Sequence, residues 1–127
     1  MRKSKIAVVD DDIFIRESWE LYVQDCEAVT FESPEAFLRE LASDPTLNTS
    51  LDAIIVDYSF GTISNMSGSD LAAALRKLTG LPIILSTDMC RSQIDNFEIF
   101  DLHLDKNVLD WQNLTKKIGV SPPNATH

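Results

Sequence analysis

Three adjacent carboxylates, Asp10, Asp11 and Asp12, end the apolar run "IAVVDDD", and a fourth, Asp57, ends "LDAIIVD". If the two runs are neighbouring strands, their ends lie about 5 Å apart. Two carboxylates at that separation repel by roughly 3 kcal/mol at an effective dielectric near 20. Two accounts fit this spacing: a solvated acidic turn, or a cluster relieved by a divalent cation. Ligands that are all oxygen, in an open site, favour Mg2+, which keeps several waters and binds through one or two carboxylates plus a phosphate.

Two further groups fall in order with these acids. Thr87 ends "LPIILST", and Lys106 follows "IFDLHLD". A lone lysine after a strand is ordinarily a solvated surface residue. Beside a carboxylate–metal centre, however, a hydroxyl and an ammonium suit phosphoryl transfer, which needs positioning and charge neutralisation more than covalent chemistry.

The elements that must position these groups alternate along the chain. The short, β-branched runs at 5–10, 51–57 and 81–87 read as buried parallel strands, with Pro82 near the start of the last. Segments 27–33 and 99–105 are weaker strand candidates. Apolar spacing predicts a helix over 13–26, with Asp11 or Asp12 at its cap. Ser33 and Pro34 open a second helix, and a third spans 67–78 with its stop at Gly80. A last helix is expected over 108–118, and the tail 121–127 ("SPPNATH") reads as disordered. Segment 88–97 has only a faint helical period, so a short or poorly formed helix is expected there. Alternation of this kind implies an open parallel sheet with helices on both faces and functional groups at the carboxyl ends of its strands.

Composition narrows the setting. The 127 residues fit one domain, taken as 1–120, able to bury a core without staples. A formal net charge of −9 argues against a nucleic-acid or anionic-membrane surface. Cys26 and Cys90 form no CxxC pair and read as reduced, buried or half-buried thiols. No apolar stretch approaches the roughly 20 residues that cross a bilayer, and the N-terminal run is too short for a signal peptide, so a cytoplasmic location is expected. Asn-x-Ser/Thr triplets at Asn48, Asn65, Asn113 and Asn124 then read as chance.

Taken together, "KIAVVDDDIFIRE", "LDAIIVDY", "LPIILST" and "LDK" resemble the four signature segments of the response-regulator receiver domain, over residues 5–118. The resemblance implies a flavodoxin-like (βα)5 fold with strand order 2-1-3-4-5. It implies that Asp57 accepts a phosphoryl group from a phosphohistidine on a histidine kinase or phosphotransfer protein. Asp11 and Asp57 would bind Mg2+ directly, Asp10 through water, and the Ser59 carbonyl would complete the protein ligands. Lys106 would pair with the phosphoryl oxygens and the Thr87 hydroxyl would report them to a downstream protein. The chain would then be a signalling module, not an enzyme acting on other substrates, either stand-alone or cut from a larger regulator or hybrid kinase.

The chain departs from the family pattern in several places. Gly68 arrives about three residues late after Asp57, which predicts a longer loop over the site. Asp88 follows Thr87 where the family prefers Ala or Gly, and would either repel an incoming phosphoryl group or cap a short helix. His103 replaces the usual aromatic switch residue, and Asn107 stands where Pro is common. The stretch from Thr87 to Lys106 is short by about three residues. Two other readings are weighed on these grounds: a receiver that binds partners without phosphorylation, and a HAD-type phosphatase. The latter needs a DxDx[TV] motif that "DDDIF" lacks.

Overall fold

The computed structural model describes residues 4–23 and 26–106. Five parallel strands form one sheet in the order β2-β1-β3-β4-β5. The strands are β1 (Ser4–Val9), β2 (Cys26–Phe31), β3 (Ala53–Val56), β4 (Ile83–Thr87) and β5 (Leu102–Asp105). Between them lie α1 (Ile13–Tyr22), α2 (Pro34–Ser43), α3 (Pro45–Ser50) and α4 (Gly68–Leu78). The expected helix 108–118 and the tail 121–127 fall outside the described residues.

Strand alternation divides the core in two. Ile6, Val8, Ala53, Ile55 and Ile84 face Trp19 and Val23 on the α1 side. Ala7, Val9, Ile54, Val56, Ile83 and Leu85 face Phe37, Leu47, Leu71 and Leu75, contributed by α2, α3 and α4. Burial on both faces is why these strands read as continuous apolar runs.

Several boundaries differ from the sequence expectation. Helix α1 stops at Tyr22, because Cys26 already pairs with Ser4 as the first residue of β2. Strand β2 ends at Phe31, which leaves Ser33 free to cap α2 by accepting from Ala36 N–H. Helix α3 was not anticipated, although Asp44 caps it and Pro45 occupies its first position. Helix α4 ends at Leu78 as expected, with Thr79 as its cap and Gly80 directly after it, though not in the left-handed conformation. Strands β3 and β5 are shorter than the apolar runs that contain them. Cys26 is buried as expected, but Cys90 is exposed.

Asp12 is the α1 cap, its Oδ1 accepting from Phe14 N–H at 2.9 Å. Asp12→Ala should therefore destabilise the fold by about 0.5–2 kcal/mol in urea titrations. The variant should leave Mg2+ binding intact, since the side chain is committed to the helix; a matching loss of Mg2+ binding would contradict this assignment.

Between β4 and β5 two short 3-10 turns, Arg91–Gln93 and Phe97–Ile99, replace a full helix. Their caps are Cys90 and Asn96, so Asp88 caps neither. Asp88 is simply exposed beside the end of β4.

Candidate functional site

Parallel pairing of β1 with β3 places Val9 opposite Val56, and Asp57 N–H continues the ladder to the Val9 carbonyl at 3.0 Å. The next residues, Asp10 and Asp57, therefore emerge side by side at the carboxyl edge. Both are almost fully buried, at 2% and 8% exposure. Pairing of β4 with β5 sets Thr87 opposite Asp105, which brings Lys106 to the same edge.

The Lys106 ammonium reaches into the cluster, with Nζ 2.7 Å from Asp10 Oδ2 and 3.3 Å from Asp57 Oδ2. The second oxygens are also held: Asp10 Oδ1 accepts from Asp12 N–H at 2.9 Å, and Asp57 Oδ1 from Tyr58 N–H at 2.8 Å. Arg16, one turn into α1, donates to the Asp10 carbonyl at 2.6 Å and fixes the end of β1.

One ammonium does not neutralise three acids. Burial pushes the Asp57 carboxyl up to about 7, the Asp10 charge adds to the shift, and Lys106 offsets only part of it. Burial likewise raises Asp10, against the opposing pull of Lys106. For Lys106, burial works against the charge, but Asp57 and Asp10 outweigh it and hold the ammonium above its ordinary value.

Asp11 completes the group. Ligand oxygens of Asp10, Asp11 and Asp57 all lie within 4.8 Å of one another. An all-oxygen, net-anionic donor set of this span fits a small hard cation such as Mg2+.

The loop from Tyr58 to Ser67 crosses this edge. Phe60 anchors it in the core, and Ser64 Oγ ties it to Glu35 Oε2 at 2.7 Å. Gly61 adopts a φ of +59° directly over Asp11, where a Cβ would come 3.5 Å from Oδ2. Ser59 lies exposed on the loop beside Asp57. The loop ends at Gly68, which packs on the backbone of Asp57 and Tyr58.

Thr87 is 2% exposed, and its Oγ1 accepts from Met89 N–H at 3.2 Å. His103 lies two pairs back along β5, opposite Leu85, its ring edge-on to Phe97 with centroids 5.4 Å apart. The Arg91 guanidinium in turn covers Phe97 at 4.4 Å. His103 Nε2 is buried without a hydrogen-bond partner among the described residues. Sequence reasoning singled out Asp10, Asp11, Asp57 and Lys106, which the fold brings together, but missed Arg16, Tyr58 and Ser69. "IFIRE" and "VDY" carried no spacing signal for the first two, because their partners are backbone groups set by the fold.

Solved structures of response-regulator receiver domains share this fold. The fold is that of a response-regulator receiver domain. The response regulator TrrA of Thermotoga maritima, solved in complex with Mg2+ and beryllofluoride, is 27% identical, covers 91% of this chain and 96% of its own, and superposes with a TM-score of 0.73. A receiver domain protein of Clostridium thermocellum is 25% identical over 91% of both chains, with a TM-score of 0.72. The chemotaxis protein CheY4 of Vibrio cholerae is 22% identical over 92% of this chain and 97% of its own, with a TM-score of 0.74. No family model and no curated protein matches the sequence. Among the described residues, no helix is long and apolar enough to cross a membrane.

Proposed function

We propose that this receiver accepts a phosphoryl group on Asp57 from a phosphohistidine of a histidine kinase or phosphotransfer protein. The observation that carries the reading is the buried Asp10–Lys106–Asp57 arrangement with Asp11 beside it. In the transfer, an Asp57 oxygen forms the O–P bond as the N–P bond of the donor breaks, and the departing imidazole takes its proton from solvent.

Each residue has a part in this chemistry. Lys106 is held within reach of the acceptor oxygen, so its ammonium can follow the charge that moves onto the phosphoryl oxygens. Asp11 and Asp57 would hold Mg2+ directly, with the Ser59 carbonyl. Asp10, whose carboxylate is the closer partner of Lys106, would act through water, as the family resemblance implies. The bound cation would neutralise oxygens of the transferring group and favour the ionised, nucleophilic form of Asp57. Thr87, at the end of β4, would turn its hydroxyl from Met89 N–H toward the phosphoryl group, and His103 would follow that movement from β5. Asp88 projects at the same edge and would slow the approach of anionic donors.

Incubation with acetyl phosphate and Mg2+, read by intact mass, tests the proposal. One phosphoryl group should be added, and Asp57→Asn should abolish the addition. Undiminished labelling of that variant, or labelling in EDTA, would defeat the assignment. Mg2+ binding without any labelling would select the phosphorylation-independent receiver. Steady turnover of generic phosphate esters would select the phosphatase.

A further inference from the structure

Tyr58 connects the acceptor carboxylate to two other parts of the fold through three separate groups. Its N–H donates to Asp57 Oδ1 at 2.8 Å. Its carbonyl accepts from Gly68 N–H at 2.6 Å, at the start of α4. Its hydroxyl accepts from Asp95 N–H at 3.3 Å, in the bend between the two 3-10 turns.

That bend is held from outside because it lacks a helix of its own. A regular helix satisfies its backbone groups internally, whereas short 3-10 turns leave some to find other partners. Here the Asp95 N–H goes to Tyr58, and the Asp95 carbonyl accepts from Ser69 Oγ on α4. The Ile99 carbonyl accepts from Arg76, also on α4, at 2.6 Å. Asn96, the next residue, takes a left-handed φ of 57°, a conformation that depends on what surrounds it. The bend at Asp95 is therefore held by Tyr58, the residue after the acceptor, and by Ser69 at the start of α4.

We propose that Tyr58 is a positioning residue that couples the chemical state of Asp57 to the 91–100 segment through its hydroxyl and the Asp95 peptide. The inference rests on Asp57 being the acceptor. Before transfer, the Tyr58 N–H bonds to an ionised carboxylate. Afterwards Asp57 is an acyl phosphate, whose acyl oxygen carries less charge, so the bond to Tyr58 N–H weakens by about half. The Tyr58 peptide relaxes, and because its carbonyl and hydroxyl hold Gly68 and Asp95, α4 and the bend feel the change. The path starts just beyond β3, in the Tyr58 side chain, and enters through Asp95 the same segment whose Phe97 packs against His103.

Amide hydrogen exchange with and without Mg2+ plus beryllofluoride, a non-transferable phosphoryl mimic, tests the coupling. In the wild type the probe should change exchange at the Asp95 amide by about fivefold or more. In Tyr58→Phe, which removes only the hydroxyl, that change should vanish while the probe still binds. Its half-saturation should shift by no more than the same factor, as reciprocity of coupling requires. Ser69→Ala, which frees the other side of the Asp95 peptide, should also diminish the response. A purely structural hydroxyl would instead raise Asp95 exchange equally in both states and leave the ratio intact, which would overturn the proposal. So would a wild type that binds the probe with no response at Asp95. A wild type that fails to bind the probe at all would overturn the acceptor reading itself, and the coupling with it.

Discussion

Asp57→Asn should raise the melting temperature of the metal-free protein, the opposite sign to most substitutions of a buried residue. In the wild type, Asp10, Asp11 and Asp57 face a single ammonium, and burial with the Asp10 charge holds the Asp57 carboxyl near 7. The unfolded chain ionises the same group near its ordinary value. Between these two values the folded state binds the extra proton, so stability falls as pH rises through that window. Below pH ~4 both states are protonated, and the residue contributes no difference. Above pH ~7 the full cost of an ionised, buried Asp57 is present, on the order of 2–4 kcal/mol. Asn removes that charge and leaves Lys106 paired with Asp10 at 2.7 Å.

The gain should therefore be absent near pH 4, grow through the interval and level off above neutrality, at roughly 5–15 °C. Asp11→Asn should gain much less, since Asp11 is only half-buried. Mg2+ at about ten times its dissociation constant should stabilise the wild type by roughly 1.4 kcal/mol, and Asp57→Asn should lose most of that increment. Thermal melts across pH, with and without Mg2+, check all of this. A variant that melts below the wild type at pH 8 would show that the ammonium already balances the cluster.

Gly68→Ala should have the largest destabilising effect of any single methyl group near the site. A Cβ at Gly68 would stand 2.9 Å from Tyr58 Cα and closer still to the Asp57 carbonyl oxygen. These are backbone atoms of a buried strand end, so no rotamer change relieves the clash, and the start of α4 must move instead. The Gly68 N–H bond to the Tyr58 carbonyl would stretch with it. We expect a loss of about 2–4 kcal/mol. Because the start of α4 packs directly on Asp57 and Tyr58, its shift should disturb the acceptor and lower the labelling rate as well, by about tenfold or more, as small misplacements of a reacting group allow. Gly80→Ala is the control, with nothing within 4 Å of the added carbon. Equal melting temperatures for the two variants would mean that the close approach of α4 to β3 does not constrain the site.

The sheet and its strand-end acids were legible in the residues alone. Runs of β-branched residues too short for helices specify buried strands, and a carboxylate at the end of such a run has only the carboxyl edge to occupy. Asp10, Asp57, Thr87 and Lys106 were legible for that reason: each is fixed by its offset from a strand, and parallel pairing does the rest. The caps at Asp12 (one of two neighbouring candidates) and Ser33 were legible too, because a cap is a local hydrogen bond within a few residues.

The features that local patterns left open depend on groups far apart in the chain. Helix α3 had its cap and proline in view, but six residues gain stability from the packing of Leu47 into the core, which periodicity cannot register. That Lys106 bridges Asp10 and Asp57, instead of pointing into solvent, follows from the register of β5 on β4. The replacement of a helix by two turns between Asp88 and Phe100 rests on partners at Tyr58, Ser69 and Arg76, which no local pattern announces. Strand-end chemistry is written in offsets of one or two residues, whereas the shape of the segments that sense it is set by backbone groups that find their partners only after the sheet has formed.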